Sequence, residues 1–206
     1  MRVAVTGATG NVGTRVVQRL LADDAVTDIV GIASRLPDAS RLSEPGAGKP
    51  GGQDRSGQQP RLRHVRVDLG APDAATRLRT ALAGMDAVIH LAWLLQPSRD
   101  IALMERVNIG GLRALLDAIP AVGVTALVHA SSLGAYSPAP KTPAVTEDAP
   151  TDGVASSPYS RQKARANGCW TSSSCGHRGF GSPGSAPPWC CSGRPAPNRP
   201  DTSSAA

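Results

Sequence analysis

The chain has 206 residues, a formal net charge of +6 and 3 % aromatic residues. That length suffices for one sizeable domain, and the lack of an apolar run of about 20 residues argues against a membrane span. The basic residues are scattered arginines with no aromatic-interleaved stripe, which argues against nucleic-acid binding, and the lack of a charged-then-apolar leader makes the cytoplasm the expected compartment.

In chain order, Arg2 to Thr6 reads as a short buried strand. It runs into a turn with Gly7, Gly10 and Gly13 spaced G-x-x-G-x-x-G, then into a helix over Asn11 to Leu21. The first glycine suits a tight turn, the second lets a phosphate approach the backbone, and the third lets the helix pack close to the strand. The helix N-terminus turns its free N–H groups and positive dipole end toward the turn, so a pyrophosphate is the natural occupant. A strand before the glycines and an amphipathic helix after them supply the context that marks a dinucleotide site.

Asp28 to Ala33 reads as a second buried strand. Dinucleotide folds commonly place an acidic residue at its end to hold the ribose 2′-OH; here stand Ser34 and Arg35. A guanidinium suits a 2′-phosphate, so NADP is expected over NAD. Residues 38–60 are rich in Gly, Pro, Ser and Gln and read as a flexible loop in place of a crossover helix, with at most a short helix near Ala39 to Ser43. Leu62 to Val67 is the third strand. Asp68 and Leu69 follow at the end where such sheets bind ligands, and Asp68 either accepts from an adenine amino group or caps the next helix.

A helix over Asp73 to Ala83 leads to a strand over Met85 to Ala92, where the small Ala92 lets the backbone run beside a cofactor. One long helix is expected over Arg99 to Ile119; Asn108 inside it is either exposed or holding something. Val124 to Ala130 is the fifth strand, ending in Ser131 and Ser132. Residues 137–158 read as a loop, after which a helix starts at Ser157 or Pro158. The alternation predicts an α/β fold, a doubly wound parallel sheet with helices on both faces.

Tyr159 and Lys163 stand four apart on that last helix, so both project from one face. A phenol loses its proton near pH 10, and an ammonium beside it favours the phenolate, which makes the pair usable for acid–base chemistry; taken alone, the same spacing fits an ordinary solvated helix face better. Ser132, at the ligand-binding end of the fifth strand, can hydrogen-bond a substrate oxygen while hydride moves to or from a nicotinamide.

TGATGNVG at 6–13, Asp68-Leu69, HLA at 90–92, Asn108 in VNIGG, HASSLGAYS at 129–137 and YSRQK at 159–163 together resemble the extended short-chain dehydrogenase/reductases, nearest the NAD(P)-dependent epimerase/dehydratase family. The motifs occur in the family's order over residues 1–166. The resemblance implies a catalytic set of Ser132, Tyr159 and Lys163, with Asn108 supporting the lysine through water. Ser132 precedes Tyr136 by the family's spacing and is chosen over Ser131 for that reason. On the cofactor side it implies Gly7, Thr9, Gly10, Asn11, Val12 and Gly13 around the pyrophosphate and Arg35 at the ribose. Asp68 and Leu69 would flank the adenine, Leu91 and Ala92 would line the cofactor, and Tyr159 and Lys163 would face the nicotinamide ribose. It further implies a small-molecule substrate and, in a full-length form, a homodimer.

All four cysteines, Cys169, Cys175, Cys190 and Cys191, lie beyond residue 166, and 167–206 contains no Leu, Ile, Val, Met, Lys or Glu. The cysteines match no zinc spacing, so no metal site is expected. The family's sixth strand and substrate domain are not visible. Residues 1–166 therefore read as an incomplete Rossmann-type domain and 167–206 as a disordered, irregular tail in place of the substrate domain. Read out of frame with GC-rich codons, residues 167–192 permit ERLLDEFELRPPRLRVTRLRPALVLQ, an amphipathic helix followed by a strand and an Arg-Pro turn. The tail thus reads as out-of-frame translation of a family member, and the chain as written is expected to be catalytically crippled. A silent nucleotide-binding sensor or remnant is the competing reading.

Overall fold

The computed structural model describes residues 1–36, 61–95, 99–140, 142 and 145–176. The expected loop at 38–60 and the tail beyond 176 lie outside the described residues. The chain divides into two compact units, Met1–Ala130 and Ser131–Ala206.

Among the described residues, the first unit contains a five-stranded sheet. Its strands are β1 (Arg2–Thr6), β2 (Asp28–Ala33), β3 (Arg61–Arg66), β4 (Ala87–His90) and β5 (Ala126–His129), with α1 (Asn11–Leu21) between β1 and β2 and α2 (Ala74–Leu82) between β3 and β4. All pairings are parallel, in the order β3-β2-β1-β4-β5. The chain leaves β1 toward β2 on one side and later crosses to β4 on the other. Right-handed crossovers then put α1 on one face and the β3–β4 and β4–β5 helices on the opposite face. The direction changes beside β1, which opens a crevice at the C-terminal ends of β1 and β4.

Side-chain alternation along the strands fills both faces. Val3, Val5 and Ile29 form a core with Val17 of α1, and Val16, Leu20 and Leu21 pack against it. The interleaved Ala4, Val30, Ile32 and Val88 are buried too. Each large apolar side chain so buried contributes about 1.5–3 kcal/mol, which is why β1 and β2 read as unbroken apolar runs.

The helix expected over Arg99 to Ile119 is differently built. α3 (Ile101–Glu105) passes through a wider π turn (Arg106–Gly110) into α4 (Gly111–Ala121), which packs on α2. Asp100 caps α3 by accepting from the Leu103 N–H at 2.8 Å. Asn108 lies at the middle of the π turn, 1 % exposed, with its amide turned onto the backbone of Leu94. Regular helical spacing gives way where that side chain is held inward.

In the second unit, a single 3-10 turn (Leu133–Ala135) follows Ser132, and α5 runs over Pro158–Gly176. On sequence grounds the ordered domain ends at Ala166; that boundary falls inside α5. Adding a residue to an existing helix costs far less than starting one, so α5 outlasts the loss of good helix formers, although Gly168 costs about 1 kcal/mol relative to Ala. Asn167 is also anchored, accepting at Oδ1 from the Ser131 hydroxyl at 2.9 Å.

Candidate active site

The dinucleotide-binding candidates lie in the first unit. Gly7 takes φ +72°, and a Cβ on it would stand 2.8 Å from the Ala92 nitrogen. A Cβ on Gly13 would collide with the Gly7 carbonyl, so α1 can meet the turn only without a side chain there. The Gly7 N–H donates to the Ile32 carbonyl at 2.8 Å and the Gly10 N–H to the Gly7 carbonyl at 3.0 Å, which folds the turn over the end of β1. Gly10 caps α1 without a side-chain hydrogen bond, and no acidic residue occupies the first turn. Asn11 and Val12 are exposed there. An uncapped helix N-terminus beside a backbone cradle fits a pyrophosphate.

The segment after β4 is held against this turn. The Leu91 N–H donates to the Thr6 carbonyl at 3.1 Å, and the Ala92 N–H to the Thr6 hydroxyl at 3.3 Å. The same hydroxyl lies 2.6 Å from His90 Nδ1, inside the core. Beyond it, Asn108 Oδ1 accepts from the Leu94 N–H at 2.7 Å and Asn108 Nδ2 donates to the Leu94 carbonyl at 3.1 Å. The open choice for Asn108 is thereby resolved: it is buried and holds the strand-end loop. Past the end of β2, the Thr9 hydroxyl donates to the Arg35 carbonyl at 3.3 Å, and the Arg35 side chain is exposed. Leu69 is buried, whereas Asp68 is exposed and accepts at Oδ1 from the Gly70 N–H at 2.9 Å, so its capping serves a tight turn and not the start of α2.

The catalytic candidates lie in the second unit. Ser132 Oγ accepts from the Gly134 N–H at 3.0 Å. A Cβ on Gly134 would stand 3.2 Å from Tyr159 Cε1 and 3.4 Å from Ser132 Oγ, so phenol ring and hydroxyl flank the same backbone point. Lys163 follows Tyr159 by one turn of α5 and is 4 % exposed. Burial, with its loss of hydration, pushes the Lys163 amine down from 10.5 to about 8. Proximity of Ser132 to Tyr159, with a buried amine on the same helix, suits proton exchange with a substrate hydroxyl or carbonyl.

Two supporting residues escaped sequence reasoning. Ser160, 3 % exposed, donates from its hydroxyl to the Gly134 carbonyl and accepts from the Val154 N–H at 2.6 Å, which hangs the Ser132 turn on α5. Thr6 is the other; a polar residue closing a buried apolar strand was the available signal. Among the described residues no group of three or more His, Cys, Asp or Glu is placed to hold a metal, and no helix is long and apolar enough to cross a membrane.

Comparison with known proteins identifies the family to which this fold belongs. The family model described as NAD dependent epimerase/dehydratase family matches residues 3–174. A dTDP-glucose 4,6-dehydratase of Streptomyces griseus is 34 % identical over 164 residues, 78 % of this chain and 45 % of the relative. An L-arabinose 1-dehydrogenase (NAD(P)(+)) of Haloferax volcanii is 33 % identical over 131 residues, 64 % of this chain and 41 % of the relative. Among solved structures, a double mutant of DesIV, a dTDP-glucose 4,6-dehydratase from Streptomyces venezuelae with NAD bound, superposes with a TM-score of 0.68 at 26 % identity, covering 87 % of this chain and 53 % of that one. The chain thus spans under half the length of the two curated relatives. Over more than half of its length, glycine turn, parallel sheet and α5 included, this chain belongs to the NAD dependent epimerase/dehydratase family.

Proposed function

We propose that this chain is the cofactor-binding and proton-exchanging part of an enzyme that oxidises and reduces a nucleotide sugar or another small hydroxy or keto compound. The observation that carries the reading is the second unit's geometry, in which Ser132 and Tyr159 flank Gly134 and the buried Lys163 stands one helical turn on. A bound nicotinamide would supply the acceptor or donor of hydride. Tyr159 takes the proton from the substrate hydroxyl, or gives it to the carbonyl oxygen in reverse. Ser132 donates a hydrogen bond to the same oxygen, and Lys163 offers a donor for the nicotinamide ribose. The glycine turn and α1 would hold the pyrophosphate, Asp68 and Leu69 would flank the adenine, Leu91 and Ala92 would line the cofactor, and Asn108 keeps the loop after β4 in place.

NADP is the favoured cofactor, because Arg35 stands where an acid would hold a ribose 2′-OH. A curated relative named for NAD(P)(+) is compatible with this preference. The enzyme works in the cytoplasm on a small-molecule substrate, and its full-length form pairs with a second copy. The 206-residue chain binds the dinucleotide but turns over poorly. Residues 167–206 contain no Leu, Ile, Val or Met, so this stretch lacks the large aliphatic side chains of a substrate-binding layer, which also favours the second reading, a silent NAD(P)-binding sensor. The test is to titrate the chain with NADP and NAD and to assay it against a panel of nucleotide sugars and keto compounds. Binding with slow turnover supports the enzyme reading, binding with no turnover even in a full-length form supports the sensor, and no binding overturns both.

A further inference from the structure

We infer that Arg66, together with Ser34 and Arg35, forms a binding site for an adenosine 2′-phosphate at the C-terminal ends of β2 and β3. The inference rests on the NADP reading above and extends it to a residue on a different strand. Arg66 is the last residue of β3 and pairs in register with Ala33, the last residue of β2. The pairing persists one residue further, where the Val67 N–H donates to the Ala33 carbonyl at 3.0 Å. Arg66 therefore stands directly beside the point at which Ser34 and Arg35 leave the sheet.

Two hydrogen bonds fix that point. Arg66 Nε donates to the Ser34 carbonyl at 3.1 Å, and the Thr9 hydroxyl donates to the Arg35 carbonyl at 3.3 Å. The Ser34–Arg35 backbone is thus tied on one side to the glycine turn and on the other to a guanidinium. Arg66 spends only Nε on this anchor. Its terminal amino groups have no hydrogen bond, and neither Arg35 nor Arg66 has a carboxylate partner, among the described residues. A guanidinium oriented through Nε, with its outer N–H donors unspent, is preorganised to grip a planar or tetrahedral oxyanion.

The neighbouring arginines of β3 behave otherwise. Arg63 donates from Nη2 to the Ala81 carbonyl at 3.3 Å, in the last turn of α2. Arg61 begins the strand, at the end remote from the crevice. Alternation places Arg61 and Arg63 on one face and Arg66 on the face of Leu62, which packs on the core beneath α1. Arg66 therefore shares its face of the sheet with the helix whose N-terminus takes the pyrophosphate. A phosphate monoester carries close to two negative charges at neutral pH, which two guanidinium groups and the Ser34 hydroxyl match. A bare 2′-OH finds no acidic acceptor at Ser34, Arg35 or Leu36.

The test uses the 206-residue chain and reads binding, so it does not depend on turnover. Adenosine 2′,5′-bisphosphate and AMP are titrated calorimetrically, alongside NADP and NAD. Arg66→Gln is expected to weaken the bisphosphate and NADP by about ten- to hundredfold, the range for a lost hydrogen bond to a charged group, while AMP and NAD shift by less than about twofold. The loss should shrink at high salt, and Arg61→Gln should leave all four affinities unchanged. Arg66 is exposed, so Arg66→Gln should keep the parent unfolding midpoint. Arg66→Lys, which keeps the charge without the Nε anchor, should lose part of the discrimination. Equal weakening of AMP and the bisphosphate would overturn the assignment, since the damage would then be general. A parent that prefers NADP with the preference intact in Arg66→Gln overturns Arg66 alone. A parent that binds NAD as well as NADP overturns the NADP reading and this site together.

Discussion

Lys163 is an amine that the fold holds out of water, and its pH behaviour follows from that. Burial lowers it to about 8, whereas in the unfolded chain it titrates at its ordinary 10.5. Between those values the unfolded chain binds a proton that the native chain does not, so this group's contribution to stability rises with pH across that window. Below about 8 both states carry the proton, and the native state bears the full cost of a buried ammonium. Unfolding midpoints measured from pH 7 to 10.5 should climb for the parent relative to Lys163→Met, which has no such group; parallel profiles would remove the shift. Tyr159 is tested by chemistry. In a full-length form, Tyr159→Phe should lower turnover by about 10²–10⁴-fold while NADP affinity holds, and turnover within a few-fold of the parent would strip Tyr159 of its role. The pair was legible because i and i+4 share a helix face whatever the surroundings. The Lys163 shift was not, because burial belongs to the packed chain.

Among the elements, the π turn at Arg106–Gly110 matters through one side chain. Asn108 meets both the N–H and the carbonyl of Leu94, and no apolar residue can replace that. Asn108→Leu should destabilise the chain by about 1–3 kcal/mol, the cost of stranding partly buried polar groups, and should weaken dinucleotide binding as the loop after β4 loosens. Urea unfolding gives the first quantity and NADP titration the second; an unchanged midpoint would mean that water replaces the amide freely. Gly13→Ala is the complementary test on α1. Its methyl group would fall on the Gly7 carbonyl, so helix or turn must move, and NADP binding should drop more than tenfold, as a preorganised phosphate cradle is lost. Calorimetric titration reads this directly. The boundaries of β1, α1 and β2 followed from apolar runs and glycine spacing alone. The break in the Arg99–Ile119 helix did not: it coincides with a hydrogen bond between Asn108 and Leu94, fourteen residues apart in sequence, which local patterning does not reveal.

For the molecule as a whole, the division into two units sorts the candidate residues. The first unit carries the glycine turn, Arg35 and Arg66, the second Ser132, Tyr159 and Lys163. Expressed alone, the 206-residue chain should bind adenosine 2′,5′-bisphosphate nearly as well as a full-length form does, while its turnover falls at least a hundredfold below it. The expectation follows from placing binding in the first unit and substrate chemistry elsewhere, and side-by-side titration and assay check it. Comparable turnover would show that residues 167–206 supply what a substrate layer supplies. Reading the coding DNA across codons 160–210 tests the out-of-frame tail independently of any assay.

By itself, the sequence determined the strand–glycine–helix opening, the parallel α/β class and the order of the motifs, and it is the family resemblance carried by those motifs that names the candidate catalytic residues. The opening and the fold class rest on local periodicity and on residues whose backbone range is special. Tertiary structure alone decided four further matters: that Thr6 and Asn108 clamp the loop after β4, that Ser160 hangs the Ser132 turn on α5, that Arg66 turns to Ser34, and that α5 continues to Gly176. In the first three, a polar side chain meets a main-chain group distant in sequence. Such bonds leave no periodic trace, because any serine, threonine, asparagine or arginine can make them and only the folded path selects which one does.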